Sequence, residues 1–216
     1  MLENSPVSPE LSKLLQYATK KRYANKQWIL QEGAPSTALF YLIKGSVTVL
    51  VKDEEGGELI LAYLDEGEFF GELNICDSSL PRSASVRAYG DCEVAIFHYE
   101  RVWPLLRDDP VLLWNLFRQT AHRLRMASRK LGDLAFVDAA GRIARALLEL
   151  AESQRAITHP DGMLIRITRE ELGKLVNCSR QLAGQVLQNL EAQGLISASG
   201  KSIVIRRTQN PDIKED

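Results

Sequence analysis

Glu72 and Arg82 are the pair whose types and spacing suggest joint chemistry, set ten positions apart in "GELNICDSSLPRSASV", Gly71 to Val86. Small, polar and turn-forming residues separate them, and Pro81 directly precedes the Arg. A guanidinium keeps its charge at any working pH, and its planar fork matches two oxygens of an anion. A carboxylate beside it accepts from a hydroxyl. Together they would cradle a small ligand carrying both an anionic group and a hydroxyl. The plainer alternative is a surface ion pair across a turn, which is common and contributes little.

Other chemistries find less support. Cys76, Cys92 and Cys178 are widely spaced, and His98, His122 and His159 are scattered. Zinc sites and iron–sulfur clusters need grouped ligands, so no metal is expected. P-loop, dinucleotide-binding and serine-nucleophile signatures are absent. Ungrouped cysteines suit a reducing compartment. No apolar run reaches the roughly 18 residues of a membrane helix, and "MLENSPVSPE" lacks a signal peptide's regions, so a cytoplasmic protein is expected, with no membrane partner.

The elements that must position Glu72 and Arg82 come next. The 216 residues leave room for one large or two small domains, with 45% hydrophobic and 25% charged residues, as in soluble globular proteins. Glu10 to Lys20 reads as a short helix. From about Tyr23 to Phe97, short stretches rich in Val, Leu, Ile and Tyr are broken by Gly33, Gly45, Gly56-Gly57 and Gly67. That spacing predicts a compact antiparallel barrel or sandwich. "KDEEGGE", Lys52 to Glu58, is its exposed hairpin tip.

From Val111 the period becomes helical. Leu113, Phe117, Thr120, Leu124, Ala127, Leu131 and Leu134 are spaced 4, 3, 4, 3, 4, 3, an a/d seam held for three heptads. A helix lying on its own β-domain would also need an apolar stripe. The run to Leu134 spans about 36 Å at 1.5 Å per residue, more than a small domain covers. Self-pairing into a parallel homodimer is therefore expected, with Arg118, Arg123, Arg125 and Arg129 on a solvated outer face. The helix should break near Asp138, a hinge and N-cap, before a second helix running to about Ser153.

The last third holds two more helix starts: a capping box from Thr168 to Glu171, then Ser179 as an N-cap. Asn177 sits between them, where a left-handed turn is tolerated. Leu172, Leu175 and Val176 should pack on Ala183, Val186, Leu187 and Leu190. The other face of the second helix shows Arg180, Gln181, Gly184, Gln185 and Gln188. "LISASGKSIVIRR" then predicts a hairpin tipped by Ser199-Gly200. Helix, turn, helix and hairpin make a winged helix-turn-helix, whose natural target is a DNA major groove. Charge agrees: Pro160 to Thr208 holds seven basic and four acidic residues, whereas Val51 to Leu73 holds eight acidic residues and one Lys. The formal net charge of −1 hides this asymmetry.

With these motifs in place, the chain closely resembles the cyclic AMP receptor/fumarate-nitrate regulator family of bacterial transcription regulators. The resemblance runs from about Tyr23 to Thr208, through "GEFFGEL", "PRSASVRA", "LGDLAFVDAAGRIARALLEL", "THPDGM" and "ITREELGKLVNCSR". The N-terminal cysteine cluster of the fumarate-nitrate branch is missing. The resemblance implies an α+β chain: an N-terminal antiparallel β-roll of jelly-roll type over residues 1–110, a dimerisation helix and hinge over 111–138, and a winged helix-turn-helix over 139–208. Residues 209–216 are expected to form a disordered tail.

The resemblance also implies roles. Gly71, Glu72 and Leu73 with Arg82 and Ser83 would form a cassette for cyclic AMP, Glu72 accepting from the ribose 2′-hydroxyl and Arg82 and Ser83 holding the cyclic phosphate. The family grips adenine with a Thr-Ser pair on the dimer helix, the Ser coming from the partner subunit. Here the pair is Ala127 and Ser128, one hydroxyl fewer, a loss of roughly 0.5–1.5 kcal/mol. Cyclic AMP is the expected allosteric ligand; cyclic GMP, cyclic di-GMP or ligand-free DNA binding are the alternatives.

The family's base readers follow an Arg-Glu-x-x-x-Arg pattern, which here is Arg180, Gln181 and Gln185. Arg180 suits guanine and Gln prefers adenine, so the palindromic operator should keep one G·C pair per half-site among altered neighbours. Thr168, Arg169, Ser179, Gly200 and Lys201 are the expected DNA phosphate contacts. RNA polymerase is the further implied partner, through Ala156 to Gly162, through Lys21 and Arg101, and through the acidic tip.

Overall fold

The computed structural model describes residues 9–206, so the expected tail over 209–216 lies outside the described residues. The chain divides into two compact units, with the division between Arg129 and Lys130. Each unit has its own sheet.

The first unit contains α1 (Pro9–Leu15), β1 (Thr19–Tyr23), β2 (Trp28–Leu30), β3 (Ala38–Lys52), β4 (Glu58–Leu64), β5 (Phe69–Phe70), β6 (Ser85–His98) and α2 (Tyr99–Asp108). It also takes most of α3 (Pro110–Phe136). The antiparallel sheet runs β1-β6-β3-β4, with β2 added to β6 and β5 to β3. The barrel-like antiparallel region is therefore present. The predicted helix over Glu10 to Lys20 is shorter, because Thr19 to Tyr23 pairs with Ile96 to Cys92 as a strand. The short helix α2 was not anticipated.

Strand β3 begins with five consecutive buried residues, Ala38 to Leu42. Period-two alternation explains this, since both faces of the sheet are covered. Phe40 and Leu42 point into the roll with Val47, Leu64, Phe70 and Val94. Leu39 and Tyr41 point the other way, onto a core shared with Leu14 of α1, Val102 and Leu106 of α2, and Leu112 and Leu116 of α3. Each aliphatic side chain so buried stabilises the unit by about 1.5–3 kcal/mol. The long strands bend at Gly45 (φ 89°), where the β3–β6 register slips; a Cβ there would lie 2.6 Å from the Asp91 carbonyl oxygen.

Helix α3 starts cleanly. Asp109 accepts from the amides of Val111 (3.0 Å) and Leu112 (3.1 Å), and Pro110 occupies the first helical position, where no amide is needed. At 27 residues it measures about 40 Å. Its stripe of seam residues is separate from Leu112 and Leu116: Leu113, Phe117, Leu124, Leu131 and Leu134 are all exposed, Leu131 at 70%.

The second unit holds α4 (Ala139–Glu152), β7 (Ile157–His159), β8 (Gly162–Arg166), α5 (Arg169–Val176), α6 (Arg180–Ala192), β9 (Ile196–Ser199) and β10 (Ser202–Arg206). Asp138 caps α4 as expected, accepting from Gly141 N at 2.8 Å. The sheet order is β7-β8-β10-β9. The wing hairpin is where the sequence placed it, but it joins a second hairpin, β7–β8, that periodicity did not reveal. Three-residue β7 is too short to show alternation.

Candidate functional site

The segment from Gly71 to Ser83 leaves β5 and returns as β6, so the loop is anchored at both ends in the sheet. Three turns fold it, Ile75 N to Glu72 O (2.9 Å), Asp77 N to Asn74 O (3.2 Å) and Leu80 N to Asp77 O (3.4 Å). Asn74, buried, closes it by donating Nδ2 to the carbonyls of Leu80 (2.9 Å) and Pro81 (3.2 Å). Asp77 accepts from both the amide and hydroxyl of Ser79, which lower its carboxyl below the usual carboxylate range.

Arg82 turns inward. It is 5% exposed; Nη2 donates to the Ala38 carbonyl at 2.7 Å, and Nη1 donates to the Gly71 carbonyl at 3.0 Å and the Tyr99 hydroxyl at 3.2 Å. Its guanidinium carbon lies 5.4 Å from the Phe40 ring centre and 5.9 Å from that of Tyr99. Tyr99 itself donates to Gly71 O, and Ser36 holds its hydroxyl from the other side. All these partners are neutral. Among the described residues no carboxylate pairs with Arg82, and its Nε has no partner. A buried cation of this kind is incompletely compensated and would gain from an anion.

Gly71 makes the inward turn of Arg82 possible. It has φ 75°, and a Cβ there would sit 2.7 Å from Arg82 Nη1. Its requirement for glycine thus comes from the arginine as well as from the turn.

Glu72 does not pair with Arg82. Its Oε1 accepts from Arg123 Nη1 of α3 at 3.1 Å. Arg123 also reaches Glu68 at 3.2 Å and the Phe69 carbonyl at 2.5 Å. Four residues earlier, Gln119 bonds the backbone of Gly67 and Phe69. The expectation of a solvated Arg123 is therefore overturned: its side chain is 22% exposed, because two carboxylates and a carbonyl face it across the helix–loop junction. Arg118, Arg125 and Arg129 are exposed.

Leu73 (61%) and Ser83 are exposed on the loop surface, and Ala127 and Ser128 are exposed on α3. Neither Ala127 nor Ser128 bonds the loop among the described residues. The structure brings together Gly71, Arg82, Glu72, Arg123 and Tyr99. Sequence reasoning missed Arg123, Tyr99, Asn74 and Gln119. The four-residue spacing of Gln119 and Arg123, off the seam, was the available signal for two of them.

In the second unit the predicted caps are present. Thr168 and Glu171 form a reciprocal capping box (Glu171 N to Thr168 Oγ1 3.1 Å, Thr168 N to Glu171 Oε2 2.9 Å), and Ser179 accepts from Leu182 N at 3.1 Å. Asn177 is left-handed, φ 54°. Leu172, Val176, Ala183, Val186 and Leu187 are buried as the pattern required, while Leu175 and Leu190 are half-buried. One shallow groove is lined by Arg180, Gln181, Gly184, Gln185 and Gln188 of α6, with Arg169 of α5 joining them. Gly200 (φ 59°) and Lys201 are exposed at the hairpin tip. Arg142 of α4 donates to the carbonyls of Val137 (2.8 Å), Val176 (3.0 Å) and Asn177 (3.4 Å), tying the residue before the α4 cap to the end of α5.

A β-roll whose loop buries an unpaired cation, followed by a winged helix-turn-helix, defines an effector-binding transcription regulator. Residues 20–109 match the cyclic nucleotide-binding domain, and residues 141–210 match the Crp-like helix-turn-helix domain. The chain belongs to the CRP/FNR family of transcription regulators. It is 46% identical over 211 residues to the cAMP-activated global transcriptional regulator Vfr of Pseudomonas aeruginosa, covering 96% of this chain and 99% of that protein. It is also 46% identical over 209 residues to the cAMP-activated regulator CRP of Salmonella typhimurium, covering 97% of this chain and 100% of that one. Among solved structures, the c-di-GMP responsive global regulator CLP of Xanthomonas campestris superposes with TM-score 0.85 at 36% identity, over 92% of this chain and 99% of that chain.

Proposed function

We propose that this protein is a homodimeric regulator that captures cyclic AMP in the loop from Gly71 to Ser83 and then binds a palindromic operator through α6. The carrying observation is the buried guanidinium of Arg82, which among the described residues has neutral partners only and an unpartnered Nε. A cyclic phosphate, singly negative and rich in acceptors, supplies the missing countercharge, with the exposed Ser83 hydroxyl as a further donor. Glu72 keeps a second carboxylate oxygen for the ribose 2′-hydroxyl while Arg123 holds the first.

The exposed seam on α3 supports the dimer, since a ladder of Leu113, Phe117, Leu124, Leu131 and Leu134 would be buried by a second copy. Ala127 and Ser128 lie on that seam and its flank, positions from which Ser128 would meet adenine across the dimer. Ligand at Glu72 acts on α3 through Arg123. The link from Val137 through Arg142 to α5 offers the second half of a population shift that re-aims α6. Arg180 would read guanine while Gln181 and Gln185 read its neighbours. Thr168, Arg169, Ser179, Gly200 and Lys201 would hold phosphates. The Ala156–Gly162 turn, Lys21 with Arg101, and the acidic tip of β3–β4 would meet RNA polymerase. Such a protein catalyses no reaction and acts in the cytoplasm; among the described residues no helix is long and apolar enough to cross a membrane.

The test is operator binding with and without cyclic AMP, on the parent and on Arg82→Leu. Ligand should tighten binding by the parent alone. A second reading changes only the effector. Ala127 removes one adenine contact, and the Xanthomonas campestris relative is described as c-di-GMP responsive. Calorimetry with cyclic AMP, cyclic GMP and cyclic di-GMP separates the two readings.

A further inference from the structure

Strand β5 is two residues long and pairs with β3 on one side, Phe70 with Phe40 and Phe69 with Tyr41. Just before it, Gly67 N donates to the Leu42 carbonyl (3.0 Å) and Leu42 N donates to the Glu68 carbonyl (2.9 Å). The alternate polar groups of the same segment point away from β3. These are the Gly67 carbonyl and the Phe69 amide, and Phe69 is 3% exposed. Phe69 is buried, so its amide needs a partner other than water, while Gly67 is half-buried. Gln119 partners both groups: its Oε1 accepts from Phe69 N at 2.9 Å and its Nε2 donates to Gly67 O at 3.3 Å. A side-chain amide thus stands where the next strand's peptide group would stand.

One turn further along α3, Arg123 takes the Phe69 carbonyl, Glu68 and Glu72. We propose that Gln119 is a positioning residue for ligand capture, pinning the register of α3 against the backbone that aims Glu72. The inference rests on the nucleotide-binding reading above and adds a residue to it. Sliding or rotating α3 would pull both Gln119 bonds, shift Phe69, and move Glu72 three residues later. A ligand that fixes Glu72 therefore favours one setting of α3, and the same pin sets the strength of that preference. Helix side chains differ here from a neighbouring strand: a strand would hold β5 without reporting where α3 lies.

The experiment measures cyclic AMP affinity by calorimetry, and operator affinity with and without cyclic AMP, on the full chain. Gln119→Leu should weaken the nucleotide about tenfold, because the Phe69 amide loses its acceptor and the loop relaxes. It should also shrink the gain in operator affinity that ligand confers. In a Glu72→Ala background the same change should leave nucleotide affinity within about twofold, since the effect runs through Glu72; a general loss of stability would persist there. If Gln119→Leu fails to fold, Gln119→Glu decides. It keeps the acceptor for Phe69, turns a carboxylate toward the Gly67 carbonyl, and should still weaken binding several-fold. The exposed neighbour Arg118→Gln serves as control. Affinity and operator gain unchanged in the folded Gln119 variant, or an equal loss in the Glu72→Ala background, overturns the proposal. Parent-like nucleotide binding by Arg82→Leu overturns the underlying reading instead, so the two failures are distinguishable.

Discussion

Arg123 holds Glu72 at 3.1 Å, while Arg82, on the same loop as Glu72, has no carboxylate partner among the described residues. The opposite-charge pair suggested by the sequence is thus divided between two different relationships. Glu72 is tied to the long helix, and Arg82 is left as a buried cation. In the proposed function, ligand capture and helix position meet at one carboxylate.

Removing the cation should remove the ligand. Arg82→Leu loses charge-assisted bonds of about 1.5–3 kcal/mol each, so calorimetry should show cyclic AMP binding weakened by at least about a hundredfold. Arg82→Lys keeps the charge but not the fork, and should recover only part of the loss. Unchanged affinity in Arg82→Leu would remove the loop from consideration as the phosphate site.

Gly71→Ala should harm both folding and binding. A side chain at φ 75° costs about 1–2 kcal/mol, read as a lower urea midpoint. The new Cβ also crowds Arg82 Nη1, so ligand affinity should fall with stability. A variant of parent stability would show that the turn tolerates a side chain.

The seam on α3 makes a prediction about mass. Leu124→Glu combined with Leu131→Glu places charge along the apolar ladder, and sedimentation should show a dimer for the parent and a monomer for the variant. A dimer that survives both changes would locate the contact elsewhere.

Selection of binding sites from random DNA should return half-sites with one preferred guanine. Arg180→Ala should relax that position by about 1–3 kcal/mol. Lys201→Ala should weaken all sequences alike and reduce the salt slope by about one. Gln181→Glu with Gln185→Arg should move the preference toward the half-site usual for the family; if the parent already selects that half-site, the two glutamines carry no specificity.

One thiol gives a pH signature. Burial, and then the Asp91 charge, push Cys92 up from 9.0 to about 11. The unfolded thiol ionises first as pH rises, so its contribution to stability is complete below about pH 9 and is lost as pH climbs toward about 11. Cys92→Ala should flatten that decline in denaturation curves. Tyr23 is pushed up by burial and then by Cys92, so the difference curve carries the thiol together with the part of the Tyr23 shift that Cys92 causes.

Local order was readable because its causes are local. The capping box at Thr168, the N-caps at Asp138 and Ser179, and left-handed Asn177 each depend on residues within three or four positions. So does the seam on α3, whereas the second stripe, Leu112 and Leu116, emerged only from packing against the β-domain. Strand β7 and helix α2 escaped notice because three residues show no period and α2 had no recognised cap.

By itself the sequence determined that a β-roll, a long helix and a winged helix-turn-helix follow one another, and that Glu72 and Arg82 belong to one loop. Hydrophobic period and turn chemistry act over a few residues, so they leave this imprint in order. Only the tertiary structure decided the partners: Arg123 and not Arg82 for Glu72, carbonyls and Tyr99 for Arg82, Gln119 for the edge of β5. Those choices join positions 11 to 52 residues apart, where packing, and not spacing along the chain, sets which charges and amides can reach each other.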